Sequence, residues 1–152
     1  MRAGWLIALG LLAAPAGARE TLGIHDGWGA FRDAAPLRCF AIARPVRGDG
    51  FASVAHWPRA GLRGQLHIRL SRPRGANAQV TLSVGERRFE LVAGERDAWA
   101  ADARADAAII AAMRSARAMS IEALGRGGEP FADTYALRGA ATAIDTAALG
   151  CL

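Results

Sequence analysis

The sequence predicts a mainly β fold, an antiparallel sandwich with one mid-chain helix and one C-terminal helix, from three observations. First, Gln65 to Leu70 and Gln79 to Val84 alternate. Leu66, Ile68 and Leu70 share one face of the first, Val80, Leu82 and Val84 one face of the second, with polar residues opposite. A period of two over six residues marks a half-buried strand. Second, Gly85 and Glu86 make a tight turn into Arg88 to Val92, where Phe89 and Leu91 face inward. Third, long helical patterns do not alternate regularly with the strands, as a parallel sheet would require, so seven or so short strands with polar turns favour an antiparallel sandwich.

The remaining elements follow in order. Residues 1 to 20 read MRAGWLIALGLLAAPAGARE, with Arg2 first, an apolar stretch from Ala3 to Ala14, and small Ala16 and Ala18 around Gly17. That layout predicts a secretory signal over residues 1–18, cleaved after Ala18, and a single domain over 19–152. Its apolar run of about a dozen residues is shorter than the roughly 20 a membrane-spanning helix needs. Gly23, Gly27, Gly29 and Pro36 predict an irregular entry segment from Thr21 to Arg38, anchored by Trp28 and Phe31. Short strands are expected at Cys39 to Ala43, before Pro45, and at Phe51 to Trp57, before Pro58, with a loop at Arg47 to Gly50. Ser71 to Ala78 is a turn, and Ala98 to Ala101 extends the sheet with Trp99.

Asp102 to Ala118 is the mid-chain helix: Asp102 and Asp106 at its start and Arg114 and Arg117 at its end complement the helix dipole. Ile109, Met113 and Ala116 form its apolar stripe. A strand at Met119 to Leu124, a loop at Gly125 to Pro130 and a strand at Asp133 to Leu137 come next. Gly139 to Leu149 is an Ala-rich helix whose inner line is Ile144, Ala148 and Cys151.

A length of 152 residues suits one domain, and 52% hydrophobic with 22% charged residues excludes a chain that is disordered throughout. All 19 basic residues are Arg, and the net charge is +5. That charge permits contact with polyanions, although a bias toward GC-rich codons yields the same composition. Export to an oxidising compartment makes the two cysteines a disulfide candidate, Cys39 with Cys151, which would contribute on the order of 4 kcal/mol by loop closure. A metal site would need three or four ligands at short spacing, whereas His25, His56 and His67 are scattered.

No nucleophile elbow, phosphate-binding loop or zinc-protease motif is present, and no catalytic, cofactor or metal residue is expected. Arg47, Gly48 and Asp49 spell an adhesive tripeptide, which chance supplies in roughly one chain in ten of this composition. The candidate contact surface is Arg59, Arg63, Arg69, Arg72 and Arg74, crowded on one strand and its flanking loops, with Arg87 and Arg88 by the next hairpin. Such groups hold phosphate or carboxylate in bidentate pairs; their alternative role is to protect sheet edges. Aromatics do not interleave with them, so nucleic acid is not an expected partner.

An export signal, Trp28-Gly29, Cys39, the hairpin with Gly85 and Phe89, Ala98-Trp99, the Asp-led helix ending near Met119, and Asp133 to Gly139 followed by an Ala-rich helix closing on Cys151 occur in that order. Together they resemble the invasion-associated locus B family of bacterial exported proteins, over most of the chain and best from Asp133 to Cys151. The resemblance implies an immunoglobulin-like β-sandwich, a periplasmic or outer-envelope location and a role linked in some pathogens to host-cell entry, with no reaction and no catalytic residue. This chain has one cysteine pair where fuller members would have a second.

The expected function is therefore a non-enzymatic envelope protein that binds an envelope or host-surface partner, an anionic one being a natural candidate. Trp28, Trp99, Asp133, Tyr135 and Arg138 are expected to be structural, with the Tyr135 ring buried and its hydroxyl hydrogen-bonded. Two alternatives are a small periplasmic enzyme or enzyme inhibitor using His25, Asp26 or His56, and a structural accessory of an envelope complex.

Overall fold

A computed structural model describes residues 17–152. The expected leader, residues 1–18, falls outside the described residues as far as residue 16. The described chain is mainly β: β1 (Glu20–His25), β2 (Trp28–Ala34), β3 (Leu37–Ala43), β4 (Phe51–Trp57), β5 (Leu62–Arg69), β6 (Val80–Val84), β7 (Arg87–Ala93), β8 (Asp97–Trp99), β9 (Ala118–Leu124) and β10 (Pro130–Ala136). Helix α1 (Ala103–Met113) lies between β8 and β9, and α2 (Ala140–Gly150) follows β10. All ten strands join one antiparallel sheet in the order β1-β2-β3-β4-β5-β8-β7-β6-β9-β10. Its narrowest join is β7 to β8, paired only through Val92 with Trp99 and Ala93 with Ala98. The far end of the sheet returns to its beginning, where the Trp28 indole donates to the Ala136 carbonyl (2.9 Å) and Val46 N–H to the Thr134 carbonyl (2.7 Å). One core therefore draws Trp28, Ala41 and Val54 together with Leu82, Ile121 and Tyr135.

The first departure from expectation is Thr21 to Arg38, which forms strands β1 and β2 instead of an irregular segment. Asp26-Gly27 is the two-residue turn between them, with Asp26 at φ 53°. An Asp-Gly pair supplies the positive φ that a tight hairpin needs. Helix α1 is shorter than the predicted Asp102 to Ala118, because Ala118 already belongs to β9. Asp102 caps it by accepting from Ala105 N–H at 2.7 Å. Ile109, Ala112 and Met113 face the core, and the Asp106 carboxylate accepts from Leu66 N–H at 2.8 Å, tying the helix to β5. Burial is the main reason the Asp106 carboxyl is held above its ordinary value.

Helix α2 lies on the inner face of β1 to β4, where Ala140, Ala143, Ile144 and Ala147 meet Ala30, Ala41, Ala43 and Ala52 in the core. Small side chains on both surfaces let the helix approach closely. Gly139, at φ 86°, begins the helix directly against β1, for a Cβ there would stand 2.1 Å from the His25 carbonyl oxygen. At the other end Cys151 is bonded to Cys39 across a sequence separation of 112, as the sequence predicts.

Trp28 and Asp133 are buried, and Asp133 accepts from Ser71 N–H at 2.8 Å. The Tyr135 ring is completely buried, but its hydroxyl makes no hydrogen bond among the described residues, contrary to expectation. Burial, with Asp133 nearby, pushes the phenol well above its ordinary value. Arg138 is at the surface, 3.3 Å from Asp26. Among the described residues no helix is long and apolar enough to cross a membrane.

Candidate functional site

The strands β1 to β5, β8 and β7 alternate, sending one set of side chains to the core and the other to the outer face. Backbone register sets an outer row across seven strands: Ile24, Gly29, Ile42, Ser53, His67, Trp99 and Val92. Ile24, Val92 and Trp99 are 64%, 58% and 38% exposed, so much of this row is apolar and open to solvent. On either side lie shorter rows, Phe31 with Phe40 and Phe51 with Arg69.

One end of this face is covered by the chain itself. Arg38 lies over the rings of Phe40 (4.3 Å) and Trp57 (5.1 Å), and Arg19 over Phe40 (5.0 Å). Asp33 joins the two arginines, accepting from Arg19 Nε and Arg38 Nη2, each at 2.7 Å. Hydrogen bonding from Arg19, and then from Arg38, holds the Asp33 carboxyl below its ordinary value. Phe40 is left only 3% exposed.

The other end is a groove of about 730 Å³, floored by Ile24, Gly29, Phe31, Ile42 and Phe51, with Arg44, Asp49, Arg69 and Arg96 around it. The loop between β3 and β4 forms one wall. Gly50 turns that loop back into β4 at φ 145°, where a Cβ would stand 2.5 Å from the Arg69 carbonyl oxygen. Next to the groove the His67 ring stacks on Trp99 (centroids 5.3 Å, planes 5° apart) and meets Phe51 edge-on at 5.1 Å. Asp97 holds this cluster from β8, with Oδ1 2.9 Å from His67 Nε2 and Oδ2 accepting from Arg69 Nη1 at 2.6 Å. Trp99 is therefore part of an exposed aromatic shelf as well as a strand residue.

The arginines of the expected contact surface are spread over several places. Arg59 is exposed on the turn after β4. Arg63 stands six residues before Arg69 on β5, about 20 Å along an extended strand. Arg72 lies over Phe131 of β10, Arg87 over Phe89, and Arg88 reaches Glu122 of β9 at 3.5 Å. Arg74 is a structural clamp, donating to the carbonyls of Gly94, Ala78 and Ala93 at 2.6 to 2.7 Å and so pinning the loop after β5 to the end of β7. Of this set only Arg69 borders the groove, and its charge is matched by Asp97.

The side chains of His25, Asp26 and His56 each engage a different partner. Thr146 uses its hydroxyl hydrogen on the Thr142 carbonyl (2.8 Å), so His25 Nε2 is the donor in the 3.1 Å bond between them. Asp26 faces Arg138, while His56 Nδ1 accepts from Gly64 N–H at 3.2 Å. Burial is the main reason the His56 imidazole is held below its ordinary value. Among the described residues no three His, Cys, Asp or Glu side chains come together as metal ligands.

Sequence reading overlooked Ile24, Phe31, Ile42, Phe51, Arg44 and Arg96 as groove residues. The available signal was aromatic and aliphatic side chains on both faces of the early strands, where a sheet with one solvated face would carry polar ones. Comparison with known proteins finds no matching family model, no matching curated protein and no matching solved structure.

Proposed function

We propose that this chain is an exported, non-enzymatic envelope protein of the invasion-associated locus B type, working by binding a partner at the open end of its outer sheet face. Periplasmic or outer-envelope location and an immunoglobulin-like arrangement of layers belong to the same proposal. The groove carries the reading: an apolar floor left open beside arginines, on a sheet whose other end covers its own aromatics. Concave apolar sites with a few fixed polar groups are where ligands bind. The Cys39–Cys151 disulfide is compatible with an oxidising, extracytoplasmic setting.

The test is binding of the purified, oxidised protein to arrays of envelope glycans, anionic vesicles, peptidoglycan fragments and surface proteins, at low and physiological salt. Saturable binding that survives physiological salt and is lost in Ile42→Glu is expected. Binding that vanishes with salt, or ignores that substitution, overturns the proposal.

A further inference from the structure

The charges around the groove are unequal once internal pairs are set aside. Arg69 is matched by Asp97, and Asp26 faces Arg138. Among the described residues Arg44 and Arg96 make no ion pair, and neither does Asp49. Two free cations thus face one free anion. Arg96 donates through Nη2 to the carbonyls of Ser71 (3.0 Å) and Leu70 (3.4 Å), which fixes its guanidinium at the groove edge with no carboxylate beside it among the described residues. A carboxylate is the natural complement, since a guanidinium fork binds one in two parallel hydrogen bonds.

Shape narrows the ligand further. The floor crosses from Ile24 on β1 to Arg69 on β5, four strand spacings of about 4.8 Å each, or about 19 Å. At about 3.3 Å per residue that length holds an extended peptide of about six residues. The floor is aliphatic and phenyl, with no amide or hydroxyl side chain lining the groove to meet the many hydroxyls of a sugar. It rewards apolar side chains instead.

Resting on the binding role proposed above, we infer that the groove takes an extended acidic segment of a partner protein, apolar side chains packing on Ile24, Phe31, Ile42 and Phe51 while carboxylates face Arg44 and Arg96. This is recognition by a few apolar anchors with charges setting register.

The test measures anisotropy of a labelled six-residue peptide alternating Glu and Leu against the oxidised protein. A peptide with Lys in place of Glu and an oligomer of galacturonic acid are run in parallel. Ile24→Asp and Arg44→Glu alter exposed side chains that make no hydrogen bond among the described residues, so both variants should fold, as circular dichroism will check. Arg59→Glu, away from the groove, is the control. The acidic peptide is expected to bind, the Lys peptide not, and each groove variant to weaken binding by about tenfold or more while Arg59→Glu changes it by less than about twofold. Galacturonate binding that is lost in the groove variants, with no peptide binding, overturns the peptide assignment and leaves the binding role standing. Peptide binding indifferent to both variants overturns the groove as its site, and failure of every probe overturns the ligand class.

Discussion

At one end of the outer face Phe40 and Trp57 lie beneath Arg38, with Asp33 joining Arg38 to Arg19; at the other, Phe51 and Trp99 have His67 as their ring partner, and Phe51 shares its groove with Arg44 and Arg96. The ingredients are alike, arginines and aromatic rings on neighbouring strands. Their arrangement differs because Asp33 gathers two guanidiniums over the rings, while Asp97 engages His67 and Arg69 and leaves Arg44 and Arg96 without an acid among the described residues. An arginine matched inside the fold contributes to stability, whereas one left over at the edge of an apolar groove is available to a ligand.

The covered end should thus respond to mutation through stability and the open end through binding. The largest effect is expected from Cys39→Ser with Cys151→Ser, which removes the bridge beneath the covered end and should cost about 4 kcal/mol in urea unfolding. Phe40→Ala should cost about 3 kcal/mol, because the ring is buried, while the partly exposed Phe51 should cost less than half as much in the same assay.

Asp33→Asn comes next, at about 1 kcal/mol near neutral pH. The Asp33 carboxyl is depressed in the folded state, so its contribution is present above the unfolded carboxylate pKa and is lost as pH falls through the lower folded value. The gap between wild type and Asp33→Asn should therefore close on acidification below about pH 4. Asp106 has the opposite sign. Its folded value is raised, so charging it opposes folding at neutral pH and acidification relieves that cost. Asp106→Asn keeps an oxygen to accept from Leu66 N–H and should be neutral or slightly stabilising at pH 7. An equal loss at pH 7 and pH 3 for Asp33→Asn would break the comparison at its electrostatic root. The smallest stability effects, within about 0.5 kcal/mol, belong to Ile24→Asp and Arg44→Glu.

Much of the architecture was legible in the sequence. The strict alternation of Leu66, Ile68 and Leu70, and of Val80, Leu82 and Val84, marks β5 and β6, and the expectation of export made Cys39 and Cys151 the natural bridge. β1 and β2 were hidden because Gly23, Gly27 and Gly29 dilute the alternation, although Asp26-Gly27 is itself a hairpin signal. The groove was hidden for a different reason. Ile24, Ile42, Phe51 and Arg96 are far apart in sequence, and only strand order and register bring them together. Arginine density pointed to Arg74, whose charge is directed inward to backbone carbonyls, and passed over Arg44 and Arg96, which line the groove and have no acid partner among the described residues.

The most direct test of the difference between the two ends is a backbone chemical-shift map of the isotopically labelled, oxidised protein titrated with the alternating Glu and Leu peptide. The account predicts saturable shifts at Ile24, Gly29, Ile42, Arg44, Phe51 and Arg96, with Arg38, Phe40 and Trp57 unmoved. Shifts centred on Phe40 and Trp57, or on Arg59 and Arg63, with the groove silent, would contradict it.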